Sequence, residues 1–167
     1  KTFHHMMDER TQEEPRAWDL EGATHRAGFK IEELVEFVRA ASPSEEDFGQ
    51  ALSQLHQALD KAADKVAKKT PAQEDLIGQV DALIDTLYFT YGSFVLMGVD
   101  PERIFDIVHQ ANMGKIFPDG KAHFDPVTHK ILKPDDWEEK YAPEPAIKKE
   151  LQRQLKAYER HKERNKQ

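Results

Sequence analysis

Ser44-Glu45-Glu46-Asp47-Phe48-Gly49-Gln50-Ala51-Leu52-Ser53-Gln54-Leu55-His56-Gln57-Ala58-Leu59 is the stretch whose reading decides the fold class. Ser44 carries a hydroxyl suited to accept from an amide of a first helical turn. Glu45, Glu46 and Asp47 place negative charge at the positive end of the helix dipole. Behind them Phe48, Leu52, Leu55, Leu59, Ala62 and Val66 recur every three or four residues, which builds one apolar face on a long helix.

The same signals repeat outward in both directions. Upstream, Ser42-Pro43 breaks a helix that starts after Trp18 and runs to about Ala41, with Phe29, Leu34, Phe37 and Val38 roughly on one stripe. A short first helix covers about 3–12 and ends before Pro15. Downstream, Thr70 caps a further helix, Pro71 takes its first position and Gln73 completes a capping box. Its apolar residues Leu76, Val80, Leu83, Leu87 and Phe94 lead to Gly98, a C-terminal stop. Asp100-Pro101 repeats the cap-then-proline pattern before a helix bearing Ile104, Phe105 and Val108 that ends near Lys115. From 117 to 134 the chain is irregular, with turns at Pro118-Asp119-Gly120 and Asp125-Pro126. A turn of helix surrounds Trp137. A last helix, from Pro145 to about Lys162, has only the thin stripe Ile147, Leu151, Leu155 and Tyr158, as expected of a helix packing on a neighbour or a second subunit. No internal repeat and no strand pair is visible. The expected architecture is all-α, with one domain over 1–143 and a basic C-terminal helix over 144–167.

Composition narrows the function classes. The chain has 167 residues, enough for a hydrophobic core, with 38% hydrophobic and 33% charged residues. Net charge is −7, but from Ala146 onward eight Lys/Arg face three Asp/Glu, leaving 16 basic and 28 acidic residues before it. Such an acidic body repels a phosphate backbone and argues against a nucleic-acid polymer as partner. It accepts an anionic small ligand only if metal ions neutralise both. The basic tail reads as a solvated helix face rather than an RNA or membrane site. There is no cysteine, so disulfides and thiolate chemistry are excluded. No apolar run approaches the roughly 20 residues of a membrane span, and the start lacks the apolar region of a signal peptide. A soluble, cytoplasmic protein without membrane partners is expected.

Two acidic groups carry the candidate chemistry. In Glu32-Glu33-Leu34-Val35-Glu36 the glutamates at i,i+3 and i,i+4 crowd one side of a helix, and each exposed like-charge pair costs a few tenths of a kcal/mol. Either solvent and the nearby Lys30 and Arg39 compensate, or a divalent metal does. Asp81 and Asp85 stand i,i+4 in Val80-Asp81-Ala82-Leu83-Ile84-Asp85-Thr86-Leu87-Tyr88-Phe89, otherwise nearly all apolar. Aspartates in such a helix need a cation or buried partners. Hard oxygen ligands without Cys point to Mg²⁺ or Mn²⁺ rather than zinc. A di-iron bundle wants Glu-x-x-His from two helices, and the nearest approach here is Asp106-x-x-His109. Positive charge follows later, in Asn112-Met113-Gly114-Lys115, Lys130 and Lys133.

Together these residues resemble the all-α nucleoside triphosphate pyrophosphohydrolases, the MazG-like and dimeric dUTPase-like superfamily, whose signature is Glu-Glu-x-x-Glu on one helix and Glu-x-x-Asp on a later one. Glu32, Glu33 and Glu36 match the first half and Asp85 the closing Asp. Leu87-Tyr88-Phe89-Thr90-Tyr91-Gly92, Met97-Gly98-Val99-Asp100, Val108 to Lys115 in sequence, and Lys130-Ile131-Leu132-Lys133-Pro134-Asp135-Asp136-Trp137 resemble a bacterial MazG-like branch. The likeness spans roughly 29–137. It departs at Ala82, where the family has Glu, with Asp81 one position earlier. The interval between the two halves is also long, filled by the helix that Ser44 opens. The resemblance implies a four-helix-bundle-type fold completed by oligomerisation, in a homodimer or higher homo-oligomer. It implies Mg²⁺-dependent hydrolysis of a nucleoside triphosphate, dUTP or a non-canonical dNTP, to the monophosphate and pyrophosphate. It further implies Glu32, Glu33, Glu36, Asp81 and Asp85 as metal ligands, with Glu32 or Glu33 orienting the water. Asn112, Lys115, Lys130 and Lys133 would contact substrate, and Tyr91 or Phe3 would stack on the base. Two competing readings remain: phosphoribosyl-ATP pyrophosphohydrolase, which shares the reaction, and a catalytically silent helical scaffold or adaptor.

Overall fold

The computed structural model describes residues 1–7, 12–70, 75–128 and 130–165. Seven helices occur among them: α1 (Thr2–Met7), α2 (Leu20–Ala41), α3 (Glu45–Ala67), α4 (Asp75–Met97), α5 (Glu102–Met113), α6 (Trp137–Tyr141) and α7 (Glu144–Arg164). Among the described residues there is no strand, only an isolated bridge between Phe124 and Ile131. No described helix is long and apolar enough to cross a membrane.

The helix ends follow local chemistry. Ser44 caps α3, its hydroxyl accepting from the Asp47 amide at 3.1 Å. Asp19, which the sequence reading did not single out, caps α2 by accepting from the Gly22 amide at 2.7 Å. Gly98 ends α4 at φ 68°, a left-handed conformation that suits glycine, and the Val99 amide returns to the Phe94 carbonyl. The Asp100 carboxylate accepts from the Glu102 amide at 3.1 Å where α5 begins. The capping box at Thr70-Pro71-Gln73 and the end of the first helix near residue 12 involve residues outside those described.

The chain forms two compact units, Pro15–Leu83 and Lys1–Glu14 with Ile84–Gln167, whose boundary falls inside α4. In the first, α2 packs on α3. The first part of α4 is tied in by Gln79: its side-chain oxygen accepts from the Trp18 amide at 2.8 Å, and its side-chain nitrogen donates to the Trp18 carbonyl at 3.0 Å.

In the second unit α5 packs on α7, so the C-terminal helix docks on its own domain. Glu150 of α7 is only 8% exposed. It accepts two hydrogen bonds from Arg153, at 2.7 and 2.6 Å, and one from Gln154 at 3.1 Å. These donors hold its carboxyl down at about 2. Gln154 in turn donates to the Asp100 carbonyl and accepts from the Asp100 amide, so α7 is fastened to the start of α5. Trp137, 5% exposed, closes the other end of α5 by donating its indole N–H to the Ala111 carbonyl at 2.9 Å.

Candidate active site

Glu32, Glu33 and Glu36 lie exposed on α2. The two cations that could have neutralised them are engaged with other partners. Lys30 Nζ donates to the Arg26 carbonyl at 3.1 Å. Arg39 pairs with Glu45 across the α2–α3 turn and lies over the Phe48 ring at 4.9 Å.

Asp81 and Asp85 are exposed on α4, and so are the apolar residues around them from Val80 to Phe89. The burial that the apolar run predicts for these aspartates is absent: both carboxylates and the apolar face of α4 are exposed. Among the described residues no group of three or more His, Asp or Glu side chains could by itself hold a metal ion.

The basic residues gather more closely. Lys115 Nζ donates to the Asn112 side-chain oxygen at 2.8 Å. It stands 6.0 Å from the centre of the Trp137 ring, and Lys133 Nζ stands 3.9 Å from the same ring. An indole face attracts ammonium groups through its quadrupole, so Trp137 carries two cations on one ring. Lys133 is also paired with Glu138 at 2.9 Å. Gly114 makes the arrangement possible, because a Cβ there would sit 2.4 Å from Tyr141 Cγ. Trp137, which the sequence places in a predicted turn of helix, is the organising residue of this group.

Lys130 belongs to the loop that follows. Its carbonyl accepts from the Asp125 amide at 2.9 Å, and Asp125 Oδ1 accepts from the Val127 and Thr128 amides at 2.9 and 2.6 Å. The loop is further ordered by Phe117 stacked on His123 at 4.0 Å, with His123 Nε2 2.9 Å from Asp119. The sequence predicts an irregular segment with turns here, and these side-chain contacts are what order it. Tyr91 is exposed on α4, while Phe3 is half-buried on α1.

The described residues thus carry an exposed glutamate face on α2 and, separately, a lysine pair held on Trp137. The family model of phosphoribosyl-ATP pyrophosphohydrolase matches residues 1–112, and the chain belongs to that family. It is a pyrophosphohydrolase, a hydrolase acting on acid anhydrides, of the all-α superfamily that the sequence resembles. A solved structure of a "putative NTP pyrophosphohydrolase" from Exiguobacterium sp. 255-15 is similar to it at 38% identity and a TM-score of 0.84, over 94% of each chain. No curated protein matches the sequence. The family match takes in the glutamate triad, both aspartates and Asn112 and stops before Lys115. The likeness to the solved structure extends over nearly the whole chain.

Proposed function

We propose that the protein hydrolyses a nucleoside triphosphate, dUTP or a non-canonical dNTP, to the monophosphate and pyrophosphate in a Mg²⁺-dependent reaction. The observation that carries this reading is the Glu32-Glu33-Glu36 face, three carboxylates at i,i+3 and i,i+4 spacing exposed together on α2 of a chain that belongs to a pyrophosphohydrolase family. The donor set fits the ion, since every candidate is a carboxylate oxygen. Mg²⁺ is commonly held by one or two carboxylates together with substrate phosphates. That accords with a protomer in which no described acidic group suffices alone. Glu32, Glu33, Glu36 and Asp85 would hold Mg²⁺ or Mn²⁺, with Asp81 as a further ligand. When bound, the ion screens the triphosphate, acidifies water and stabilises the pyrophosphate leaving group.

The remaining work falls to the chain. Glu32 or Glu33 accepts a proton from the attacking water and aims its oxygen at the α-phosphorus. Lys115 and Lys133, held against Trp137, meet the phosphate oxygens, and the Asn112 side chain keeps Lys115 in place. Lys130 extends this contact along the triphosphate, and Tyr91 offers a ring to the base. The protein works as a homodimer or larger homo-oligomer.

A second reading has its own support: the matching family is that of phosphoribosyl-ATP pyrophosphohydrolase, whose reaction is the same at another nucleotide. One panel separates the readings. Pyrophosphate release is measured with Mg²⁺ or Mn²⁺ on dUTP, the common dNTPs and NTPs, oxidised or deaminated dNTPs, and phosphoribosyl-ATP. Preference for dUTP or an altered dNTP is expected. Turnover of phosphoribosyl-ATP alone selects the second reading. Silence on every nucleotide sinks both.

A further inference from the structure

We propose that α7 is a self-association element that pairs antiparallel with α7 of a second copy. This goes beyond the expectation of a homodimer, because it names a face and an orientation, and it holds whether or not the chain turns over nucleotides. One side of α7 is spent inside the protomer, through buried Glu150 and the Gln154 bonds to Asp100. Another side is open. Leu155 and Tyr158 are 58% and 62% exposed. A shallow apolar trough of about 390 Å³ runs beside them, lined by Glu144, Ile147, Lys148, Leu151, Gln152 and Leu155.

The residues along that side are Glu144, Lys148, Leu151, Leu155, Tyr158 and Lys162, spaced four, three, four, three and four. This is the heptad spacing that keeps one seam facing a partner helix. Charge then fixes direction. Parallel pairing would set Glu144 against Glu144, Lys148 against Lys148 and Lys162 against Lys162. Antiparallel pairing about an axis between Leu151 and Leu155 sets Leu151 on the partner's Leu155, Lys148 on the ring of the partner's Tyr158, and Glu144 on the partner's Lys162. Each contact occurs twice, and the opposed helix dipoles also agree.

The chain lacks cysteine, so a single introduced thiol reports the geometry. Gln152 lies beside the proposed axis, and Lys149 is exposed away from the seam. Gln152→Cys in the full chain is expected to form a disulfide dimer on mild oxidation much faster than Lys149→Cys. Adding Glu144→Lys should slow this by about fivefold, the size of two exposed charge reversals, and adding Lys162→Glu to that should restore it. Circular dichroism confirms that each variant is helical. Crosslinking at Gln152→Cys no faster than at Lys149→Cys, or a double charge reversal that fails to restore it, overturns the proposal. A dimer by light scattering with no Gln152→Cys crosslink also overturns it, and assigns the contact to another face. Pyrophosphate release is read separately and bears on none of these outcomes.

Discussion

Glu33 is exposed on α2, so replacing it tests chemistry without disturbing packing. Glu33→Gln should lower kcat by about a hundredfold or more, the usual weight of a group that positions or deprotonates a nucleophile. Its urea midpoint should stay close to that of the parent, as for most surface substitutions. Retained turnover would remove Glu33 from the site. Trp137 is the opposite case, a buried ring with a hydrogen bond and two cations. Trp137→Ala should cost about 3–5 kcal/mol of stability. Trp137→Phe keeps a ring but loses the bond to Ala111, at about 1 kcal/mol, and should raise KM for the nucleotide by loosening the lysines. An unchanged KM in Trp137→Phe would reduce the tryptophan to packing. Glu150 sets an acid limit. Its carboxyl titrates near 2 in the folded chain against 4.5 ordinarily, mainly because Arg153 and then Gln154 donate to it. The unfolded chain therefore binds the proton first, so the stability Glu150 contributes is complete above about 4.5 and drains away as pH falls toward 2. Comparing urea midpoints at pH 3 and pH 7 should show a smaller acid loss in Glu150→Gln than in the parent.

At the scale of the helix, the end signals are local and can be tested singly. Ser44→Ala should cost about 1 kcal/mol through the lost cap, and Gly98→Ala a similar amount through the left-handed backbone, both read as lower thermal midpoints. The same locality explains what was legible in sequence. Ser44, Gly98 and Asp100 act within a few residues of themselves, and α2, α3, α5 and the end of α4 lie close to the bounds the sequence predicts, whereas the predicted start of α4 at Pro71 lies outside the described residues. The glutamate triad was legible for the same reason, since i,i+3 and i,i+4 spacing on a helix needs no tertiary information. The rest was not local. The Trp137 bond to Ala111 spans 26 residues and the Gln154 bonds to Asp100 span 54, and no periodicity encodes such partners. The α4 segment around the aspartates differs: an apolar run predicts burial, whereas that run is exposed. Sequence records that a face is apolar, not which molecule covers it.

For the molecule as a whole, that open surface is the dominant energetic fact. The accessible surface is 14284 Å², whereas even two separate folded units of half the chain each would expose only about 10,000 Å² by the usual scaling with mass. Much of the excess is apolar: on α4 Tyr88 is 75% exposed and Leu96 91%, with Phe89, Val95 and Met97 also exposed. Contiguous apolar patches of this extent are characteristic of interaction surfaces. In the proposed homo-oligomer, copies of the same chain would cover these patches, because one apolar helix face then serves both sides of a two-fold contact. That proposal couples folding to association and predicts a thermal midpoint that rises with protein concentration. Leu96→Lys, placing a charge on that face, should flatten the concentration dependence and shift light scattering toward smaller species. A parent protein that scatters as a monomer, with a midpoint independent of concentration, would mean that the open face of α4 belongs to some other partner.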